Sequence, residues 1–156
     1  MDVKIRKARQ RDVEQVVQLW KEFMDFHRRY DPHFSRSRNG HLKFKDFVSK
    51  KISARNALVL VAQVNRRIVG YIIASIDAYV PVFIEKRYGA IYDLMVDSGF
   101  RRRGIGRRLV CEAREWFRKR GIKRMELSVA ASNRLAVRFW SRVGFKTYME
   151  RRYLRC

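Results

Sequence analysis

Leu94-Met95-Val96-Asp97-Ser98-Gly99-Phe100-Arg101-Arg102-Arg103-Gly104-Ile105-Gly106-Arg107 is the stretch on which the fold turns. Leu94 to Val96 closes a β-rich apolar segment that begins at Ala90, and Asp97 to Arg103 reads as a loop. Beyond it, Ile105, Leu109, Ala113, Trp116 and Phe117 recur at helical spacing, and Gly121 stops the helix. A strand therefore feeds a basic, glycine-containing turn that opens an amphipathic helix. The first N–H groups of a helix have no acceptor within it and carry the positive end of its dipole. Glycine at 104 and 106 puts no Cβ in the way of a phosphate, and nearby arginines add charge-assisted hydrogen bonds. The stretch reads as a pyrophosphate site built mainly from main chain, formed by Arg101, Arg102, Arg103, Gly104, Ile105, Gly106 and Arg107. A dinucleotide fingerprint would need glycine at Leu109 and a first glycine directly after the strand, and a Walker loop would need Gly-Lys-Ser or Gly-Lys-Thr.

Working outward, Val3 to Arg6 alternates as a short strand. Asp12 has the look of an N-cap with Gln15 three residues on, ahead of Val13, Val16, Val17, Trp20, Phe23 and Met24 at helical spacing. Asp31 to Gly40 is a polar loop, and Phe44, Phe47, Val48 and Ile52 predict a second helix. Ala57 to Val64 and Ile68 to Ile76 form a predicted hairpin, the first strand apolar enough to be buried on both faces. A connection from Asp77 to Gly89 precedes the central strand. After the helix come a strand at Lys123 to Val129, a helix starting at Asn133 and stopped by Gly144, and a final strand at Phe145 to Leu154. The order β-α-α-β-β-β-α-β-α-β predicts one domain over residues 1–156. Its fold class is an α/β (α+β) sandwich, a mixed six- or seven-stranded sheet with helices on both faces.

Two motifs resemble those of the GNAT superfamily of N-acetyltransferases. Arg101, Gly104 and Gly106 match its coenzyme A signature, Arg/Gln-x-x-Gly-x-Gly/Ala. Asn133-Arg134-Leu135-Ala136-Val137-Arg138-Phe139-Trp140, followed by Gly144-Phe145, is similar to its second signature, and the element order matches from about residue 3 to 154. The resemblance implies an acetyl-CoA-dependent N-acetyltransferase, in which a primary amine attacks the thioester directly with no covalent intermediate. It also implies that main-chain groups of Leu94, Met95 and Val96 meet the pantetheine arm and thioester carbonyl, with Asn133 at the coenzyme site. Two positions depart from the pattern. Trp140 stands where the family usually has a tyrosine that protonates the leaving thiolate, and Ser128 where related ribosomal-protein acetyltransferases have a glutamate base, so neither role carries over.

Acidic residues are few, which narrows the choice of general base. Asp93 interrupts the apolar strand beside the expected thioester, where burial would raise its pKa; Asp77 and Glu85 lie in the preceding connection. The acceptor would be selected by residues around 30–42 and 78–88, rich in aromatic and basic side chains. With 37 Lys and Arg against 15 acidic residues, a net +22, a small polycation is disfavoured. A protein N-terminus, an acidic peptide or an anionic small amine fits better. The same charge supports a rival reading, a nucleic-acid- or ribosome-associated module with a degenerate enzymatic site, although no helix-turn-helix or RNA-binding aromatic signature is present. Expected partners are thus an amine-bearing small molecule or protein, with nucleic acid admitted by the charge, no membrane, and a dimer as one open oligomeric state. Cys111 and Cys156 make no metal-ligand spacing, so no metal is expected, and the charged N-terminus predicts a cytoplasmic protein.

Overall fold

The computed structural model describes all residues 1–156. β2 (Ala57–Val64) is apolar up to Gln63, and its first six residues are buried. Such a strand needs cover on both sides, which fixes its place inside the sheet. It pairs antiparallel with β1 (Lys4–Lys7) on one side and β3 (Arg67–Ala78) on the other. β3 pairs antiparallel with β4 (Arg87–Val96), and β5 (Met125–Leu127) returns parallel to β4 through a helical crossover. The order across the sheet is β1-β2-β3-β4-β5.

α1 (Val13–His27) and α2 (Gly40–Ser53) cover one face. Val16, Val17, Trp20, Phe44 and Val48 pack there on Val59, Val61, Tyr71, Ile73 and Met95. α3 (Ile105–Arg118) covers the other face with Leu109, Ala113 and Phe117 against Leu58, Leu60, Ile72 and Ile91. α4 (Arg134–Arg142) adds Phe139 and Trp140 at the margin of that second core. Each large side chain fully buried in these layers contributes about 1.5–3 kcal/mol, which makes the two cores the main support of the sheet.

Three expectations need correction. The sheet has five strands rather than six or seven, because Phe145 to Leu154 forms none. Its apolar residues fall in adjacent pairs, Tyr148-Met149 and Tyr153-Leu154, around the charged run Glu150-Arg151-Arg152, so no single face can be buried. The three-residue β5 offers a short template, and the tail is tied down by Tyr148 instead, whose hydroxyl donates to Glu126 at 2.8 Å. Second, Asp12 does not cap α1. Its carboxylate accepts from Arg9 N–H at 2.7 Å and pairs with Arg6, while Gln15 Oε1 accepts from Ile68 N–H on β3. Third, β3 and β4 extend further into their connection than the apolar pattern indicated, to Ala78 and from Arg87.

Two irregularities of β4 open the sheet on one side. Ile73 opposes Asp93 but Ala74 opposes Ile91, so Tyr92 is an extra residue in a bulge. Its ring meets Phe47 of α2 at 5.8 Å, with Lys51 4.9 Å above it, so Tyr92 joins Asp93 on the α2 side of the sheet. β5, moreover, pairs only with Gly89, Ala90 and Ile91. From Tyr92 onward β4 has no neighbour there, and a gap opens between it and the β5–α4 segment.

Candidate active site

The gap exposes main-chain groups in alternation. Asp97 N–H bonds Val69 O on β3 at 2.9 Å, so residues of that parity face β3. Val96 and Leu94 are therefore turned into the gap, and Met95 is not. Met95 buries its side chain in the α1–α2 core, only 6% exposed. The Val96 carbonyl accepts from Arg101 Nε at 2.9 Å, which leaves both main-chain groups of Leu94 and the Val96 N–H as the free polar groups of this edge. Of the three residues expected along the pantetheine arm, Leu94 and Val96 turn main-chain groups into the gap and Met95 does not.

At the end of β4, Asp97 caps a short 3-10 turn (Ser98–Phe100) by accepting from Gly99 N–H at 2.9 Å, and it pairs with Arg67. The chain then enters α3 with Arg102 and Gly104 at positive φ, 58° and 75°. No side chain caps α3, in contrast to α4, where Asn133 accepts from Ala136 N–H at 3.1 Å. The α3 N-terminus therefore keeps its outward N–H groups and its positive dipole end uncompensated. The two glycines differ. A Cβ at Gly104 would meet nothing within 4 Å, whereas one at Gly106 would lie 3.3 Å from the Phe139 ring. Gly104 thus borders the space an anion could enter, and Gly106 lets α4 approach α3. Ile105 is in the core and offers only main chain, while Arg102, Arg103 and Arg107 are exposed around the turn. Arg101 is already engaged: besides Val96 O, it lies 5.9 Å over the Phe26 ring of α1 and stitches the loop to the sheet.

Asp93 is half-buried on the α2 face of β4. No cation or donor is paired with it, and burial alone pushes its carboxyl up to about 7. Tyr71, diagonal to it across β3, is fully buried with a hydroxyl that has no partner; desolvation first, and then the nearby Asp93 charge, hold that phenol well above its usual range. Asp77, opposite Tyr88 further along β3, accepts from Ser75 Oγ at 2.7 Å and from the Tyr92 hydroxyl. Glu85, by contrast, is exposed in the β3–β4 connection beside Val82, Phe83 and Ile84. Asn133 is buried, 4% exposed, and spent on internal contacts: its Nδ2 faces His27 Nε2 at 3.5 Å, and Tyr30 OH faces its Oδ1 at 3.5 Å. Trp140 is half-buried, edge-on to Phe139 and Phe145 at 5.0 and 5.2 Å; its carbonyl accepts from Phe145 N–H at 2.9 Å, and its indole N–H bonds no other residue. Ser75 and Tyr92 escaped the sequence reading, because the bulge at Tyr92 leaves no local pattern; Tyr30, read as part of the acceptor region at 30–42, lies against Asn133 at the start of α4.

An open strand edge beside an uncapped, arginine-ringed helix start is an arrangement for an extended ligand with a polyphosphate end. The chain matches the profile of the Acetyltransferase (GNAT) family over residues 15–145, and it belongs to that family. It is 29% identical over 139 residues to an uncharacterized N-acetyltransferase of Archaeoglobus fulgidus, covering 89% of this chain and 90% of the relative. It is 40% identical over 87 residues to one of Methanocaldococcus jannaschii, covering 55% of this chain and 38% of that longer relative. Among solved structures, a tetramutant of the BH1408 protein of Bacillus halodurans superposes with a TM-score of 0.88 at 22% identity, over 98% of this chain and 99% of that one. The aminoglycoside N-acetyltransferase AAC(6')-Iy, in complex with a bisubstrate analogue of coenzyme A and acetylneamine, superposes with a TM-score of 0.79 at 18% identity, over 100% and 99%.

Proposed function

We propose that the enzyme moves the acetyl group of acetyl-CoA to a primary amine carried on an anionic body, such as a protein N-terminus in an acidic context. The observation that carries this reading is the gap beside β4, which runs from the free main-chain groups of Leu94 and Val96 to the uncapped start of α3. In it the pyrophosphate lies against the N–H groups from Gly104 to Arg107, with Arg102, Arg103 and Arg107 around it. The pantetheine amides pair with β4 as a missing strand would, and a Leu94 main-chain N–H stabilises the oxyanion. Asp93 takes the proton from the incoming ammonium, for which a carboxyl titrating near 7 is well matched.

Charge decides between acceptors. Asp93, once ionised, offers a negative group to the ammonium itself, while the body of the acceptor meets a surface of net +22. A polycation such as an aminoglycoside gains at the first and loses at the second. The test is amine-dependent release of free thiol from acetyl-CoA across three classes: peptides with acidic N-terminal residues, aminoglycosides and polyamines. The reading expects the acidic peptides to give the highest kcat/KM. Preference for polyamines would overturn the acceptor assignment, and no thiol release with any amine would overturn the acetyl-transfer reading for this chain.

A further inference from the structure

Amide formation from a thioester expels a thiolate, and the C–S bond breaks more easily if the sulfur gains a proton as it leaves. At α4 no side chain does this. Trp140 packs into the margin of the core, and an indole N–H is a donor without an acidic proton. The opposite wall of the gap differs. The end of α1 and the turn after it lean across the gap and touch both sides: Phe26 stacks under Arg101, which is bound to Val96 O at the end of β4, and Tyr30 reaches Asn133 at the start of α4.

Three contacts fix this bridge. His27 Nδ1 donates to Phe23 O at 2.9 Å, so its Nε2 is left as an acceptor facing Asn133 Nδ2. The Asn133 amide is thereby oriented with Oδ1 toward the helix, where it takes Ala136 N–H at 3.1 Å. The Tyr30 ring is held edge-on to Phe26 at 5.4 Å, and its hydroxyl has as sole partner that same Oδ1, at 3.5 Å. The hydroxyl is the donor in this contact, but at 3.5 Å, to an oxygen that already accepts a shorter bond, the bond is weak and is given up readily for a better acceptor.

We propose that Tyr30 is the general acid of the reaction, delivering its hydroxyl proton to the departing coenzyme A sulfur, a role that rests on the acetyl-transfer reading above. The amine, having lost one proton to Asp93, attacks the thioester carbon. The C–N bond forms, the oxyanion collapses and the C–S bond breaks. Sulfur takes the Tyr30 proton, the phenolate recovers one from solvent, and the second proton of the new amide nitrogen leaves to solvent. His27 and Asn133 are positioning residues in this scheme.

Tyr30→Phe removes the hydroxyl and keeps the ring. With the best amine found for the wild type, kcat falls at least about tenfold and the KM for acetyl-CoA stays within about threefold. A second readout needs no acceptor. Because the hydroxyl contacts sulfur, the substitution weakens binding of coenzyme A but leaves binding of desulfo-coenzyme A, which lacks the sulfur, unchanged. An unaltered kcat, or equal losses for the two ligands, would overturn the assignment to Tyr30. Failure of the wild-type protein to bind either ligand would instead bring down the coenzyme site on which the assignment rests.

Discussion

Near neutral pH the Asp93 carboxyl sits close to its own midpoint, because its half-buried place on β4 offers no cation and no donor. The native state holds this proton more tightly than the unfolded chain, whose aspartate titrates near the ordinary 3.8. Stability from this group is therefore present below about pH 4 and is lost as the pH rises through about 7, a cost on the order of 2–4 kcal/mol when ionisation is complete. Asp93→Asn abolishes that cost, and chemical denaturation should find the variant more stable than wild type at about pH 8 and equal to it near pH 4. Catalysis should move the other way. The kcat of the wild type rises with pH through about 7, while Asp93→Asn loses at least about 100-fold and keeps its affinity for acetyl-CoA within about threefold. Full turnover in a folded Asp93→Asn protein would exclude Asp93 as the base. The residue itself was legible in sequence, as a lone carboxylate in an apolar strand. Its lack of an arginine partner was not, since that depends on what α2 and β3 bring opposite it.

Secondary structure shows the same division. β2 was read to the residue and α3 from Ile105, because each is specified by a local pattern: an unbroken apolar run, and an apolar stripe after a glycine pair. The bulge at Tyr92, the parting of β5 after Ile91 and the unpaired tail after Phe145 are matters of register between strands, which no single stretch encodes. The two glycines make the point within one motif. Both were read as making room for phosphate, but Gly106 makes room for Phe139. Gly106→Val should therefore act on the packing of α3 against α4, lowering stability by about 1–3 kcal/mol through overpacking whether or not ligand is present. A thermal melt of the apo-protein checks this. An unchanged Tm would show that α4 gives way freely.

On the scale of the whole molecule, the surplus of positive charge is not spent on ion-pair networks. Eight of the 37 Lys and Arg side chains reach a carboxylate, which leaves 29 without one. Pairs between exposed charges would in any case contribute little. The field is directed outward, and it favours anionic ligands over the entire surface. A specific coenzyme site must stand out against that background by stoichiometry and by sensitivity to one position. Gly104 supplies the position, because its missing Cβ faces open space at the uncapped start of α3; a side chain there strains the turn at φ 75° but meets no atom of the fold. The measurement is a calorimetric titration of acetyl-CoA into the wild-type protein and into Gly104→Val, with melting curves to confirm that both are folded. The account predicts one-to-one binding by the wild type and a loss of at least about tenfold, some 1.4 kcal/mol, in the variant. Equal affinity in the two proteins would contradict it, as would binding of many coenzyme molecules per chain.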